Sequence, residues 1–263
     1  MSYETLELTR SEGIATLVLD RPQAMNAWDA QLAEELRDAI AEVGADDGVR
    51  VLLLTGRGRA FSAGADVKAG FPPTAAGHWD VHTRLIEVHD PIILGLREMP
   101  KPAIAVVRGA AAGIGCSLAL ACDLVLAAES AYFLLAFINI GLAPDGGASA
   151  FVCARAGVGR ATEMAMLGEP VPAPRAVEWG LANRAVPDDQ LDEEALALAR
   201  RLAAGPTKAY AAAKREFNAW AYSKLRAQLA LEADEQQRLA ATHDNAEGVA
   251  AFVEKREARF LGR

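Results

Sequence analysis

The chain has 263 residues, 52% of them hydrophobic, with 27 basic and 35 acidic residues and a net charge of −8. A chain of this length buries roughly 70–75% of its unfolded surface, enough for one core without a metal or disulfide staple. The acidic balance argues against nucleic acid as a partner, and no apolar run reaches the length of a membrane span.

The amino-terminal segments YETLELTR and GIATLVLDRP alternate apolar and polar residues around Ser11, Glu12 and Gly13, which predicts a β-hairpin. The next segment, DAQLAEELRDAIAEVGADD, carries Leu32, Leu36, Ala39, Ile40 and Val43 at helical spacing, which predicts a helix capped by Asp29 and closed before Gly44. VRVLLLTG, AIAVVRG and DLVLAAE are short continuous apolar runs, the pattern of strands covered on both faces, and helical segments alternate with them. The expected fold class is α/β.

AGFPPTAAG, residues 69–77, reads as a loop. It precedes GHWDVHTRLIEVHD, where His78, His82 and His89 crowd together. His78 and His82 have zinc-compatible spacing, but with no HExxH or cysteine partner the histidines read as surface or pocket-lining groups, His82 as a possible substrate contact. From Asp188 onward the pattern is helical, with Gly205-Pro206 as its one clear break, so 1–187 is read as core and 188–263 as a helical section of the same unit. Leu225, Leu229 and Leu239 offer an apolar face for the core or for another subunit. Cys116, Cys122 and Cys153 lack CxxC spacing and read as buried small apolar residues in a reducing compartment, with a cytoplasmic location expected.

The glycine-punctuated stretch GAAAGIG, following AIAVVR, admits two readings. One is a dinucleotide loop, with Glu129 about 20 residues on as a ribose-binding acid and YAAAK, Tyr210 to Lys214, as the YxxxK pair of a dehydrogenase. Against it, the motif starts 108 residues into the chain, and Ala197 stands where such enzymes keep a serine before the tyrosine. The other reading is half of an oxyanion hole, whose second N–H comes from the small-residue loop Ser62 to Ala65 after the neighbouring strand.

The segments DRPQAMNAW, GRAFSAGADVK, RGAAAGIGCSLALACDLVLAAE, IGLAPDGGAS and AFVEKREARF occur in the order and approximate spacing of the crotonase superfamily, the enoyl-CoA hydratase/isomerase family, which the chain resembles over nearly its whole length. The resemblance implies a spiral of ββα units with a C-terminal helical trimerisation region, a homotrimer or a dimer of trimers, and an acyl-CoA thioester as substrate. Coenzyme A is then part of the substrate, with no separate cofactor and no metal. It puts the oxyanion donors at the backbone of Ala65 and Ile114. The two positions where hydratases of the family carry glutamates hold Ser117 and Phe137, leaving Asp145 as the acid/base group. Pro-Asp-Gly is also ordinary turn chemistry, in which Asp145 would cap a helix and have a lowered pKa. For the substrate, the resemblance points to Ala24, Ala63, Asp66, Gly113 and Phe137 along its path, and to Lys68, Phe252 and Lys255 for coenzyme A; in relatives the C-terminal residues usually come from a neighbouring subunit. Arg21, Arg57 and Arg59 lie on the same two loops and are further candidates for the phosphates. Isomerisation through one carboxylate is the expected reaction, with hydration and a non-catalytic CoA-ester binding protein as alternatives.

Overall fold

A computed structural model of the chain describes residues 3–263. Strands β1 (Leu6–Ser11) and β2 (Ile14–Leu19) form the expected hairpin, with Glu12 and Gly13 both at positive φ in the two-residue turn. Helix α1 (Ala30–Ala45) begins where Asp29 accepts the Leu32 N–H at 2.9 Å and buries the five expected apolar positions. It runs through Gly44 rather than stopping before it, because nothing within 4 Å crowds that glycine and its helical φ costs only propensity.

Strands β3 (Val51–Gly56), β4 (Ala103–Val107), β6 (Leu124–Ala128) and β9 (Arg184–Val186) complete a sheet of order β1-β2-β3-β4-β6-β9, parallel from β2 onward. Every residue of β4 is buried, as its unbroken apolar run requires. Each central strand runs on into a shorter segment of a second layer. After β4 comes β5 (Ala110–Ala112), and after β6 comes β7 (Tyr132–Leu134), its parallel partner. Strand β8 (Val171–Pro172) closes that layer on one side, and single bridges from Ser62 to Ala111 and from Ala65 to Trp28 extend it on the other. Helix α4 (Ile114–Ala121) follows β5, giving the repeating ββα unit.

Between β3 and β4 the chain leaves the sheet for the loop around Phe71 and returns through α2 (Val81–Arg84), a wide π turn over Leu85–His89, and α3 (Asp90–Glu98). The π turn inserts a residue into the 3.6-residue period, and Val88, His89 and Asp90 are buried in succession. Helices α5 (Ala148–Ala156), α6 (Val158–Leu167) and α7 (Ala173–Glu178) lead toward β9.

The C-terminal section holds α8 (Leu191–Ala203), α9 (Thr207–Ala221), α10 (Leu225–Ala240) and α11 (His243–Glu254). The break at Gly205-Pro206 is present, and two more, at 222–224 and 241–242, separate the last three helices. Alanine-rich sequence hides both, since neither contains glycine or proline. Leu225 and Leu229 pack into the chain's own core, and α8 lies over β2, β3, β4 and β6. No helix among the described residues is long and apolar enough to cross a membrane.

Candidate active site

The Ser62–Ala65 and Gly113–Ile114 segments meet because two glycines let their backbones touch. Gly64 sits at φ +97, and a Cβ there would lie 2.9 Å from the Ala112 carbonyl oxygen. A side chain at Gly64 would therefore push the two strand ends apart, while Gly113, facing the Gly64 Cα, holds φ +52, a conformation that strains any other residue. The Trp28 N–H donates to the Gly64 carbonyl at 2.7 Å and the Asp66 N–H to the Trp28 carbonyl at 2.9 Å, which turns the intervening Ala65 N–H the other way. Ile114 is the first residue of α4, where an N–H has no intrahelical acceptor. No hydrogen bond among the described residues takes up the N–H of Ala65 or of Ile114.

Both residues line one cavity of about 260 Å³, together with Ala63, Gly113, Phe137 and Asp145. Phe71, Trp79, Val81 and His89 form its wall on the α2–α3 side, and Phe252 of the same chain reaches it from α11. Asp145 is the sole carboxyl among the described residues that line it, and no lysine or arginine does.

Asp145 is held from two directions. The Ser117 hydroxyl, on α4, donates to the Asp145 carbonyl at 2.7 Å, and Gly146 packs so tightly that a Cβ there would meet Ile114 Cδ1 at 2.2 Å. From the other side, α10 presents Glu232 and Gln236 four residues apart on one face. Glu232 accepts the N–H groups of Gly147 (2.7 Å) and Ser149 (3.1 Å), and Gln236 Nε2 donates to the Ala143 carbonyl (2.7 Å) and to Asp145 Oδ2 (2.9 Å).

The Asp145 carboxyl therefore caps no helix. Gly147 is the N-cap of α5, with no side-chain cap, and Glu232 supplies the acceptor that Asp145 was expected to be on the capping alternative. Its pKa moves opposite to that alternative. Burial raises it well above the ordinary carboxylate range, the carboxylates of Glu232 and Asp90 add to this, and the Gln236 hydrogen bond opposes it. Asp145 Oδ1 is buried with no hydrogen-bond partner among the described residues. Burial also pushes Asp90 and Glu232 up to about 7 each. His89, 3% exposed, is pulled down to about 3 by burial and then by Arg84, and is neutral.

The other expected groups lie outside the cavity. Ala24 is in the turn Pro22–Ala24, and Asp66 pairs with Arg21 at 3.3 Å while its second oxygen accepts the Lys68 N–H. Lys68 and Lys255 are exposed, with no ion pair among the described residues. Arg21 and Arg57 are engaged by carboxylates of the chain, Asp29 and Asp66 for one and Glu7 and Asp20 for the other. His82 points away from the cavity toward Asp234, at 3.5 Å; the pocket-lining histidine is His89. Cys116 and Cys122 are buried, with thiols pushed up to about 12 by desolvation.

The dinucleotide reading fails on geometry. Ala110–Ala112 of the glycine stretch is strand β5, not a phosphate-binding turn, and Lys214 is buried in an ion pair with Asp123 at 2.7 Å. Asp90, Glu232 and Gln236 were not expected. The one sequence signal for Glu232 and Gln236 is register: Leu225 and Leu229 set a buried stripe on α10, and Glu232, Ala233, Gln236 and Ala240 continue it, placing two polar residues where apolar ones belong.

A sequence profile described as enoyl-CoA hydratase/isomerase matches residues 9–263. A probable enoyl-CoA hydratase of Rhodobacter capsulatus is 43% identical over 263 residues, all of both chains. The 1,2-epoxyphenylacetyl-CoA isomerase of Escherichia coli is 38% identical over 96% of each. Among solved structures, that of an enoyl-CoA hydratase from Mycobacterium avium subsp. paratuberculosis superposes with a TM-score of 0.90 at 36% identity, covering 99% of this chain and all of the other.

Proposed function

Because this chain belongs to the enoyl-CoA hydratase/isomerase family, we propose that it is an acyl-CoA isomerase, moving a double bond or rearranging a ring through an enolate. The observation that carries this reading is the solitary carboxyl: among the carboxyls of the described residues, Asp145 alone shares a cavity with the Ala65 and Ile114 N–H groups. With the thioester oxygen between those two amides, negative charge that develops there meets donors already in place. Ionised Asp145 takes a proton from the α or γ carbon, the electron pair passes to the thioester oxygen, and the same proton returns to the other carbon. Burial suits this shuttle, since a carboxylate with a raised pKa binds a carbon-derived proton more strongly than an exposed one.

In this reading the coenzyme A phosphates lie outside the cavity against Lys68 and Lys255, its chain passes Ala24 and Asp66 and enters the cavity along Ala63 and Gly113, and Phe137 and Phe252 enclose the acyl end. The chain assembles as a trimer or a pair of trimers; Phe217 and Trp220 of α9, 66% and 88% exposed, are apolar surface such an assembly would cover. Mass by light scattering tests that.

Hydration is the second reading, supported by the printed name of the 43% identical relative. Incubation with 2-enoyl- and 3-enoyl-CoA esters in deuterated water separates the two. Isomerisation gives positional isomers that keep the substrate's own hydrogen, whereas a 3-hydroxyacyl product carrying solvent deuterium at C2 as the main species would sink the isomerase reading.

A further inference from the structure

His89 is a polar side chain of the α2–α3 wall whose chemistry the proton shuttle leaves unused. It is 3% exposed, it lines the cavity, and its Nδ1 is fully buried without a partner. Nδ1 is thus closed off by protein, and Nε2, which is not among the fully buried unpartnered atoms, is the ring nitrogen open to a group in the cavity. The Trp28 ring, whose own N–H is buried without a partner, stands edge-on at 5.3 Å and 85°, and Phe71 is tilted at 6.5 Å.

A buried polar group left without a hydrogen bond costs about 1–3 kcal/mol. A site for a plain hydrocarbon acyl group would avoid that cost with a phenylalanine or leucine here. A neutral imidazole has one N–H and one lone pair, and serves a hydroxyl, an ether or epoxide oxygen, or a carbonyl. An anionic substituent is the wrong match, because no lysine or arginine lines the cavity and Asp145 does.

We infer that His89 is a specificity-determining residue that hydrogen-bonds an uncharged oxygen carried by the acyl group, so that the preferred substrates are oxygenated acyl thioesters rather than plain alkenoyl ones. The inference rests on the acyl group occupying this cavity. It selects among thioesters and is independent of which proton-transfer reaction follows. The rings of Phe71, Trp79, Phe137 and Phe252 that line the same cavity make a cyclic acyl probe the suitable one.

Calorimetric titration with phenylacetyl-CoA and its 2-, 3- and 4-hydroxy derivatives tests it without turnover. At least one hydroxy isomer should bind about tenfold more tightly than phenylacetyl-CoA, since one satisfied hydrogen bond to a buried group is worth roughly that factor. His89→Phe should bring the ratio to about one, and His89→Gln, which keeps a donor and an acceptor, should retain part of it. Wild-type affinities for all four within about threefold, or a preference that survives in His89→Phe, overturn the inference while leaving the acyl-CoA reading intact. If none of the four binds, the acyl-CoA reading falls, and the inference with it.

Discussion

Gln236 Nε2 lies 2.9 Å from Asp145 Oδ2, so a residue of the C-terminal helical section fixes the orientation of the only carboxyl in the cavity wall among the described residues. The same amide group donates to the Ala143 carbonyl, and with both hydrogens committed its direction is set. Asp145 is thereby left with one oxygen held and the other unpartnered.

Replacing Asp145 by Asn keeps the shape and a partner for Gln236 but removes the proton acceptor. Turnover should fall about 10²–10⁴-fold, with thioester affinity changed little. Activity near the wild-type level, measured beside calorimetric binding, would remove Asp145 from the proposed mechanism.

The pH profile follows from the same burial. If ionised Asp145 is the base, kcat/KM rises as pH rises through its pKa, so the acid limb lies well above the usual carboxylate range near pH 4. Glu232→Gln removes a negative charge that raises that pKa, and should move the limb to lower pH. A limb unmoved in Glu232→Gln, or moved upward, contradicts the electrostatic link.

Stability should show the linked effect. Asp90 and Glu232 have folded pKa values of about 7, above those of the unfolded chain, so the folded state holds their protons more tightly. That contribution is complete below the unfolded pKa near 4 and is lost as pH rises through about 7. Asp90→Asn should therefore flatten the melting temperature between pH 5 and 8 and raise it at the upper end by roughly 3–8 °C. A melting curve for Asp90→Asn with the wild-type pH dependence would refute this.

The Ile114 N–H can be removed without breaking the helix. Proline at the first helical position costs no intrahelical bond, so Ile114→Pro tests the donor, with Ile114→Ala as a control for lost side-chain packing. The proline variant should lose about 10²–10³ in kcat beyond the alanine control. Equal activities of the two would remove that amide from the proposed oxyanion hole.

The sequence was informative where a local period or a motif carries the information. The unbroken apolar runs of β3, β4 and β6 announced buried parallel strands, the 3.6-residue spacing announced α1, and the small residues at 62–65 and 113–115 announced a close approach of two backbones. Asp145 stood out in IGLAPDGG as the candidate acid, but its environment was not legible. Glu232 and Gln236 lie more than 80 residues away on a helix dense in charge, where acidic and amide residues read as a solvated face until tertiary packing buries them. His89 and Asp90 were masked differently. The π turn shifts the helical register, so a regular period assigned to Val81–Glu98 would not bury Val88, His89 and Asp90 in succession.

The close packing of Gly146 on Ile114 couples two groups that the proposed chemistry needs at a set separation. An amide hydrogen and a proton acceptor rest on a shared scaffold, whereas the excursion carrying Phe71, Trp79 and His89 is inserted between two strands of that scaffold without interrupting it. Exchanging this one insertion would give the molecule a different appetite while its reactive centre stayed in place, which makes residues 69–90 the segment to diversify in a search for new thioester substrates.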